Sequence, residues 1–195
     1  MQICLATASD AGQIAQIYSY YVKNTAITFD YEAPDESAIG EQIKATLRQY
    51  PFIVAKEQGR VVGYAYASKL KNRQAYDWAV ESSIYLPNTH ISSGIGSALY
   101  DVLEGLLRAQ GVASVFACIA AGHELEQSAS ILFHARRGFS EVGRWLGCGF
   151  KFNRWYDVIW MQKQLCDPGD SPKEPKPILE LEARRLSDIL GGANA

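Results

Sequence analysis

The chain has 195 residues, of which 48% are hydrophobic and 21% charged, a composition typical of one soluble domain that excludes a disordered or low-complexity chain. The formal net charge of −2 and the pI near 5.9 give no electrostatic support for nucleic-acid binding. Four scattered cysteines indicate neither a metal site nor a redox pair. Because the sequence has neither an apolar membrane span nor a leader pattern, we expect a cytoplasmic protein that binds neither nucleic acid nor membrane.

Charge and proline content divide the chain near Leu165. Four of the seven prolines stand between residues 168 and 177, which is the composition of a linker. Beyond them, apolar residues recur at helical spacing and end before Gly191 and Gly192; they are Ile178, Leu181, Leu186, Ile189 and Leu190. We therefore predict one domain over residues 1–165. A linker and a short amphipathic helix, which docks on the body or on a second subunit, follow at 166–195.

The first half of the body predicts one strand, two helices and three strands, in that order. Asp10 with Gln13 forms a capping-box pattern at the start of the first helix, and Pro34 opens the second. Both helices carry apolar residues at helical spacing. The β-rich runs cover residues 2–6, 52–56, 60–68 and 80–86, with a turn at Gln58-Gly59 between the second and third.

The second half predicts two helices and three strands. The most periodic segment runs from Ile95 to Leu107 and is closed by Gly111, which predicts a long helix. A strand at 114–119, a short helix at 128–137 and two strands at 139–145 and 155–165, joined by a Gly-rich bend, complete the body. The order β α α β β β α β α β β predicts an α/β (α+β) fold. Its central mixed, mostly antiparallel sheet is flanked by helices on both faces.

A Gly-rich segment, Ile91-Ser92-Ser93-Gly94-Ile95-Gly96, joins a strand to the long helix. Small residues let backbone amides approach a ligand, and the positive end of a helix favours an anion such as a pyrophosphate. The same residues also suit an ordinary tight turn, and they lack both the full dinucleotide pattern and the Gly-Lys-Ser/Thr of a nucleotide-triphosphate loop. Taken alone, the segment leaves both interpretations open.

Several motifs, met in order along the chain, resemble those of the GNAT acyltransferase superfamily. The resemblance is narrower still to its phosphinothricin and methionine sulfone (sulfoximine) N-acetyltransferases. The motifs are Thr28-Phe29, Arg73-Gln74-Ala75-Tyr76, Val80-Glu81-Ser82-Ser83-Ile84-Tyr85, His134-Ala135-Arg136-Arg137-Gly138-Phe139 and the segment from Gly149 to Asp157. The likeness covers about residues 1–165. It implies the GNAT fold and transfer of acetyl from acetyl-CoA to the amino group of a small amino acid or an analogue, in a homodimer that needs no metal.

The resemblance also implies where acetyl-CoA binds. The pyrophosphate is expected on backbone amides at the start of the long helix, and the pantetheine arm on two strands that splay apart after Ile84-Tyr85-Leu86. The implied cofactor-binding residues are Ile84, Tyr85, Leu86, Ile91, Ser92, Ser93, Gly94, Ile95, Gly96, Ser97, Gln127 and Ser130. Ile91 and Ser93 stand where the superfamily has basic or amide residues, and Gln127 where relatives have Asn. We therefore expect weaker cofactor binding, with the amides at the helix start intact.

Two residues are implied to carry the chemistry. An α-amine is largely protonated near neutral pH, so acyl transfer to it requires a base. The resemblance assigns that role to Glu81, whose strand neighbours Val80 and Ser82 point to the opposite face; an exposed carboxylate paired with Lys or Arg is the alternative. His134 stands where relatives place the acid that protonates the departing thiolate. A hydrogen-bonded structural histidine is the alternative there.

Five further residues are candidates for binding the acceptor amine. Lys71 and Arg73 stand ahead of the Glu81 strand, where relatives have basic residues that meet the acidic end of the substrate; solvated loop charges are the alternative. Phe29, Tyr76 and Phe152 are candidates for the pocket walls, although aromatic residues also serve simply as core.

Two rival functions remain at this point. One is a GNAT enzyme that acetylates another amine, such as a polyamine, an antibiotic or a protein terminus. The other is a catalytically silent acyl-CoA-binding module, which the loss of the basic loop residues at Ile91 and Ser93 keeps open.

Overall fold

The computed structural model describes residues 1–90, 94–122, 125–167 and 169–192, without the side chains of residues 125–128. The strands are β1 (Gln2–Leu5), β2 (Phe52–Glu57), β3 (Arg60–Lys69), β4 (Ala79–Tyr85), β5 (Ser114–Ala121), β6 (Ser140–Lys151) and β7 (Arg154–Gln164). The helices are α1 (Ala11–Asn24), α2 (Glu36–Leu47), α3 (Ile95–Gln110), α4 (Leu125–Arg136) and α5 (Ala183–Gly192). The predicted order of elements in the body is confirmed.

The seven strands form one sheet in the order β1-β2-β3-β4-β5-β7-β6. Every neighbouring pair is antiparallel except β4 and β5, which are parallel. The apolar faces of α1 and α2 pack on one side of the sheet, and α3 and α5 pack on the other. The predicted mixed, mostly antiparallel sheet with helices on both faces is therefore confirmed.

The start of α1 differs from the predicted capping box of Asp10 with Gln13. The Asp10 carboxylate accepts a hydrogen bond from the backbone N–H of Thr7 at 2.9 Å, so the box lies one turn earlier. The amide oxygen of Gln13 instead accepts from the backbone N–H of Val61 at 2.9 Å. Gln13 thereby joins α1 to the sheet.

The closing hairpin, formed by β6 and β7, also differs from the prediction of two strands around a Gly-rich bend. Strand β6 continues through the glycines to Lys151, and its register jumps between Trp145 and Gly149, so extra residues leave the ladder as a bulge. The backbone N–H of Gly147 in this bulge donates to the Asp157 carboxylate at 2.8 Å. The reversal itself falls at Phe152 and Asn153, which both have positive φ.

The C-terminal segment docks on the body of the chain. The backbone N–H of Ile178 donates to the carbonyl of Gln49 at 3.0 Å, and the Ile178 side chain is fully buried. The indole N–H of Trp78 donates to the carbonyl of Lys173 at 2.8 Å. The amphipathic pattern left two docking sites open, the body and a second subunit. The structure shows contacts with the body. In the described part of the chain, no helix has the length and apolar character needed to cross a membrane.

Candidate active site

A cleft opens in the middle of the sheet, where β4 and β5 part. Their pairing ends at Glu81 and Phe116, whereas β4 remains paired with β3 as far as Tyr85. The separation thus begins before Ile84-Tyr85-Leu86, not after it as the resemblance implied, because the parallel ladder is only three residues long. The resulting cavity has a volume of about 70 Å³ and is lined by Ile27, residues 82–85, residues 117–120, Ser130 and His134.

Glu81 is the last residue of β4 to pair with β5, and it lies at the end of this cleft. Its neighbours on either side, Val80 and Ser82, face the α3 side of the sheet, so strand alternation directs Glu81 to the α1–α2 side. Burial raises the pKa of this half-buried carboxyl, and the nearby charge of Lys71 partly opposes that rise. Among the described residues, no side chain makes a hydrogen bond or an ion pair with the Glu81 carboxylate. Such a group is suited to accept a proton.

His134 is buried on α4, with 4% of its surface exposed, and both ring nitrogens are engaged. Nδ1 lies 2.8 Å from the carbonyl oxygen of Ser130, and because a carbonyl can only accept, Nδ1 carries the proton. Nε2 therefore accepts the hydroxyl proton of Tyr100, at 2.7 Å. Burial lowers the pKa of His134, an effect opposed by the Ser130 bond and reinforced by the charge of Arg137. The ring is thus held neutral in one tautomer.

Tyr100 and Ser82 extend this network, and sequence reasoning missed both. The Tyr100 hydroxyl is fully buried and lies 3.0 Å from the Ser82 hydroxyl, which also reaches the carbonyl of Phe116 at 3.2 Å. Burial raises the pKa of Tyr100, so it remains a neutral donor. The network therefore runs from α4 through α3 to the point where β4 and β5 separate. One sign of this network is visible in the sequence: Tyr100 stands outside the apolar repeat of α3.

The start of α3 provides a second feature of the site. Gly94 adopts a φ of 86°, in the left-handed region that favours glycine, immediately before the helix begins at Ile95. The amides of Ile95, Gly96 and Ser97 belong to the first helical turn, whose N–H groups have no hydrogen-bond acceptors within the helix. These predicted residues are placed where an anion can bind. The predicted contacts at Ile91, Ser92 and Ser93 lie outside the described residues, as does the side chain of Gln127.

The other predicted cofactor residues border the cleft. Ile84, Tyr85 and Ser130 line its cavity. The Leu86 carbonyl accepts a hydrogen bond from the hydroxyl of Tyr21 on α1, so that carbonyl is already used by the protein. The cleft therefore lies between α4 and α1. In the described ranges, no group of three or more His, Cys, Asp or Glu side chains could hold a metal ion.

The five predicted acceptor-side residues fall in two places. Phe29 packs beside Tyr156 of β7, and Phe152 lies at the tip of the closing hairpin, where its ring faces the Lys151 ammonium. Lys71 is close enough to Glu81 to influence its pKa. Arg73 and Tyr76 lie further along the same exposed segment between β3 and β4. Their part in an acceptor pocket stays a prediction.

Comparison with known proteins defines the class. Residues 3–160 match the family model described as the acetyltransferase (GNAT) domain. The chain is 32% identical to a phosphinothricin N-acetyltransferase of Streptomyces viridochromogenes, over 91% of this chain and 93% of the relative. It is 31% identical to an L-methionine sulfoximine/L-methionine sulfone acetyltransferase of Salmonella typhimurium, over 85% of this chain and 95% of the relative.

A solved structure gives the same result. The crystal structure of a GNAT superfamily phosphinothricin acetyltransferase from Sinorhizobium meliloti, in complex with acetyl-CoA, has a TM-score of 0.81 and 34% identity. The match covers 92% of this chain and 97% of that one. The chain therefore belongs to the GNAT acetyltransferase family, which confirms the predicted resemblance and the predicted enzyme class. The division of the chain near Leu165 stays a prediction.

Proposed function

We propose that this protein transfers acetyl from acetyl-CoA to the amino group of a small amino acid or an analogue, of the phosphinothricin or methionine sulfone type. The observation that carries the proposal is Glu81, at the end of the β4–β5 cleft: its half-buried carboxylate has a raised pKa, and no cation among the described residues is bound to it. The two named relatives, at 32% and 31% identity, support this choice of substrate class.

The residues of the cleft fit acetyl-CoA. Beyond Glu81, the β5-facing backbone groups of β4 are not used by the ladder, so they are available to an amide-containing arm such as pantetheine. The amides of Ile95, Gly96 and Ser97 suit a pyrophosphate. Ser130, which lines the cavity, adds a polar group on the α4 side.

The proposed reaction is a direct transfer. Glu81 takes a proton from the acceptor amine, and the nitrogen then bonds to the acetyl carbonyl carbon while backbone amides near Leu86 polarise the carbonyl. The carbon–sulfur bond breaks, and the departing thiolate takes a proton. We assign that last proton to the Nδ1–H of His134, which must then turn away from the Ser130 carbonyl. The acceptor nitrogen loses its second proton as the amide forms, and this proton replaces the one that His134 gives up, reaching Nε2 through the Tyr100 hydroxyl.

The acceptor is proposed to bind on the Glu81 side of the sheet. Lys71 and Arg73 provide positive charge for a carboxylate or phosphinate group, since a guanidinium fork matches the geometry of paired oxygens. Phe29, Tyr76 and Phe152 supply the apolar walls. Lys71 is the member of this set whose charge already reaches Glu81.

We also propose that the protein is a homodimer of the cytoplasm. Large apolar side chains are exposed on β6 and β7, including Leu146 (76% exposed) and Trp155 (68% exposed). Aromatic residues such as Trp155 are enriched in protein interfaces, and β6 is an edge strand of the sheet. The four cysteines are free thiols, which suits a reducing compartment. Sedimentation equilibrium of the purified protein measures the oligomeric state, and a monomer would contradict the dimer.

One experiment tests the proposed function. Purified protein is mixed with acetyl-CoA and a panel of amines, and release of free CoA thiol is followed while products are identified by mass. Turnover is expected with phosphinothricin or methionine sulfone. Turnover confined to a polyamine or an N-terminal peptide would instead support the GNAT enzyme for another amine.

A binding measurement separates the remaining alternative. Acetyl-CoA is expected to raise the melting temperature, whereas NAD and ATP are not, because a ligand that binds the folded state stabilises it by mass action. A thermal shift with acetyl-CoA but no turnover of any amine would support the silent acyl-CoA-binding module. No shift at millimolar acetyl-CoA would contradict the cofactor assignment.

A further inference from the structure

Lys151 is a buried lysine that the proposed reaction does not use. It ends strand β6, and only 3% of its surface is exposed. Its ammonium donates hydrogen bonds to two backbone carbonyls, those of Thr25 at 2.9 Å and Thr28 at 2.7 Å. Burial lowers the pKa of Lys151, partly offset by the charge of Asp30. Burying an ammonium group costs solvation free energy, which the hydrogen bonds to these two carbonyls offset.

Both carbonyls belong to the segment that follows α1, residues 25–31, which we call the α1 exit segment. Two further contacts hold this segment on the closing hairpin. The Phe29 ring lies over Gly149, where any Cβ would overlap ring carbons of Phe29, and the hydroxyl of Tyr31 donates to the carbonyl of Phe150. The hairpin and the α1 exit segment are thus joined along the length of the segment.

The α1 exit segment also reaches the cleft. Ile27 lines the cavity between β4 and β5. The hydroxyl of Tyr18 lies 2.6 Å from the Thr28 hydroxyl and donates to the Asp30 carboxylate at 2.7 Å, while its ring packs edge-on against Tyr85 of β4. The segment therefore spans the distance between the closing hairpin and the strand that carries Glu81.

We propose, building on the proposed acetyltransferase function, that Lys151 is a positioning residue that fixes the α1 exit segment and thereby one wall of the acceptor-amine pocket. One ammonium can serve two converging carbonyls at once, whereas an apolar side chain of similar length leaves both unpaired. The planar guanidinium of arginine is larger and matches paired oxygens of one carboxylate, not two separate backbone carbonyls. Phe29, a predicted pocket wall, directly follows Thr28, whose carbonyl accepts a hydrogen bond from Lys151.

The test compares two lysines of the same chain. In Lys151→Met, the KM for the acceptor amine is expected to rise on the order of 10-fold, because a small displacement of a pocket wall weakens substrate positioning, while the KM for acetyl-CoA stays within about twofold. The matched control is Lys163→Met, which breaks a contact to Glu104 on the α3 side. That variant is expected to lower the melting temperature and leave both KM values unchanged.

A conservative variant and a structural readout complete the test. Lys151→Arg keeps hydrogen-bond donors near the two carbonyls but in a larger planar group, so it is expected to raise the acceptor KM less than Lys151→Met does, without reaching the wild-type value. Amide hydrogen exchange of residues 25–31 is expected to be faster in Lys151→Met than in Lys163→Met. Should Lys151→Met not fold, Tyr31→Phe removes another contact of the same segment and is expected to raise the acceptor KM about twofold to threefold.

The outcomes distinguish a failure of the role proposed for Lys151 from a failure of the proposed acetyltransferase function. An unchanged acceptor KM in Lys151→Met or, where that protein does not fold, in Tyr31→Phe overturns the role of Lys151 while the acetyltransferase function stands. Equal increases in the acceptor and acetyl-CoA KM values also overturn it, since they indicate a general structural loss. No turnover by the wild-type protein with any amine refutes the proposed function and the role of Lys151 together.

Discussion

Two glutamates on opposite faces of the sheet differ in what surrounds them. Glu104 of α3 is almost fully buried, with 3% of its surface exposed, and is bound by three cations. Lys163 lies 2.7 Å from its carboxylate, Arg108 lies 3.1 Å away and Arg137 lies 3.7 Å away. Glu81 is only half-buried, yet within the described chain it has no hydrogen-bonded cation, and burial raises its pKa.

This difference shows that burial alone does not mark a reactive carboxylate. A buried carboxylate that is bound by several cations holds its neighbours together through those ion pairs. A carboxylate that is partly desolvated and left without a bound cation has more to gain from a proton. Glu104 therefore has the surroundings of a structural residue, whereas Glu81 has those of a base.

The largest effect is expected from Glu81→Gln. This change keeps the size of the side chain but removes the base, so turnover should fall by roughly 10²-fold near neutral pH. The loss should shrink as pH rises, because the acceptor amine then loses its proton without help. Steady-state rates across the pH range, with the acetyl-CoA thermal shift as a binding control, measure both expectations.

Two results would contradict the base assignment. Wild-type turnover by Glu81→Gln at every pH would exclude it. A loss that is independent of pH and accompanied by loss of acetyl-CoA binding would assign Glu81 a structural role like that of Glu104.

The sequence was sufficient for features that depend on a local repeat. The apolar periodicity of α3 is continuous from Ile95, so that helix was predicted with its correct start and with its closing residue, Gly111. Alternation along β4 correctly separated Glu81 from Val80 and Ser82, because neighbouring side chains of a strand must face opposite sides.

Features that join distant segments were not predictable in the same way. The Ser82–Tyr100–His134 network unites three elements, and no local repeat relates the three residues. The Gly-rich stretch before Lys151 suggested a bend, because glycine is common in turns. In the structure, Gly149 instead makes room for the Phe29 ring, which lies 120 residues earlier in the chain. Local pattern does not encode such contacts.

A smaller effect, on stability instead of turnover, is expected from Glu104→Gln. The amide cannot balance the charges of Lys163 and Arg137, which are mostly buried. The free energy of unfolding should fall by about 2 kcal/mol, below the usual cost of breaking a fully buried pair because these cations keep some contact with water. Urea denaturation measures this change, and the rates with acetyl-CoA and acceptor should stay at the wild-type level. Unchanged stability, or a loss of turnover in the folded variant, would remove the contrast with Glu81.

The smallest effect is expected from His134→Gln, and it decides which of the two glutamates His134 resembles. The residue is saturated with hydrogen bonds, as Glu104 is with cations, yet it lines the cleft that ends at Glu81. Loss of the imidazole bonds should lower the free energy of unfolding by about 1 kcal/mol at pH 7.5.

The sign of its pH dependence follows from the direction of the pKa shift. Burial lowers the pKa of His134 in the folded state, so between that pKa and the ordinary value near 6.5 the unfolded chain binds more protons than the folded one. The stability that His134 contributes is therefore complete above the ordinary pKa and is lost as pH falls, and the gap between wild type and His134→Gln should narrow from pH 7.5 to pH 5. Urea denaturation at each pH measures the gap, and a gap that widens would mean that the folded protein holds a protonated imidazolium.

A narrowing gap leaves a neutral ring whose one proton is on Nδ1, so proton donation to the thiolate must come at the expense of the Ser130 bond. In that case, turnover by His134→Gln should fall most at high pH, where water is the poorer proton source.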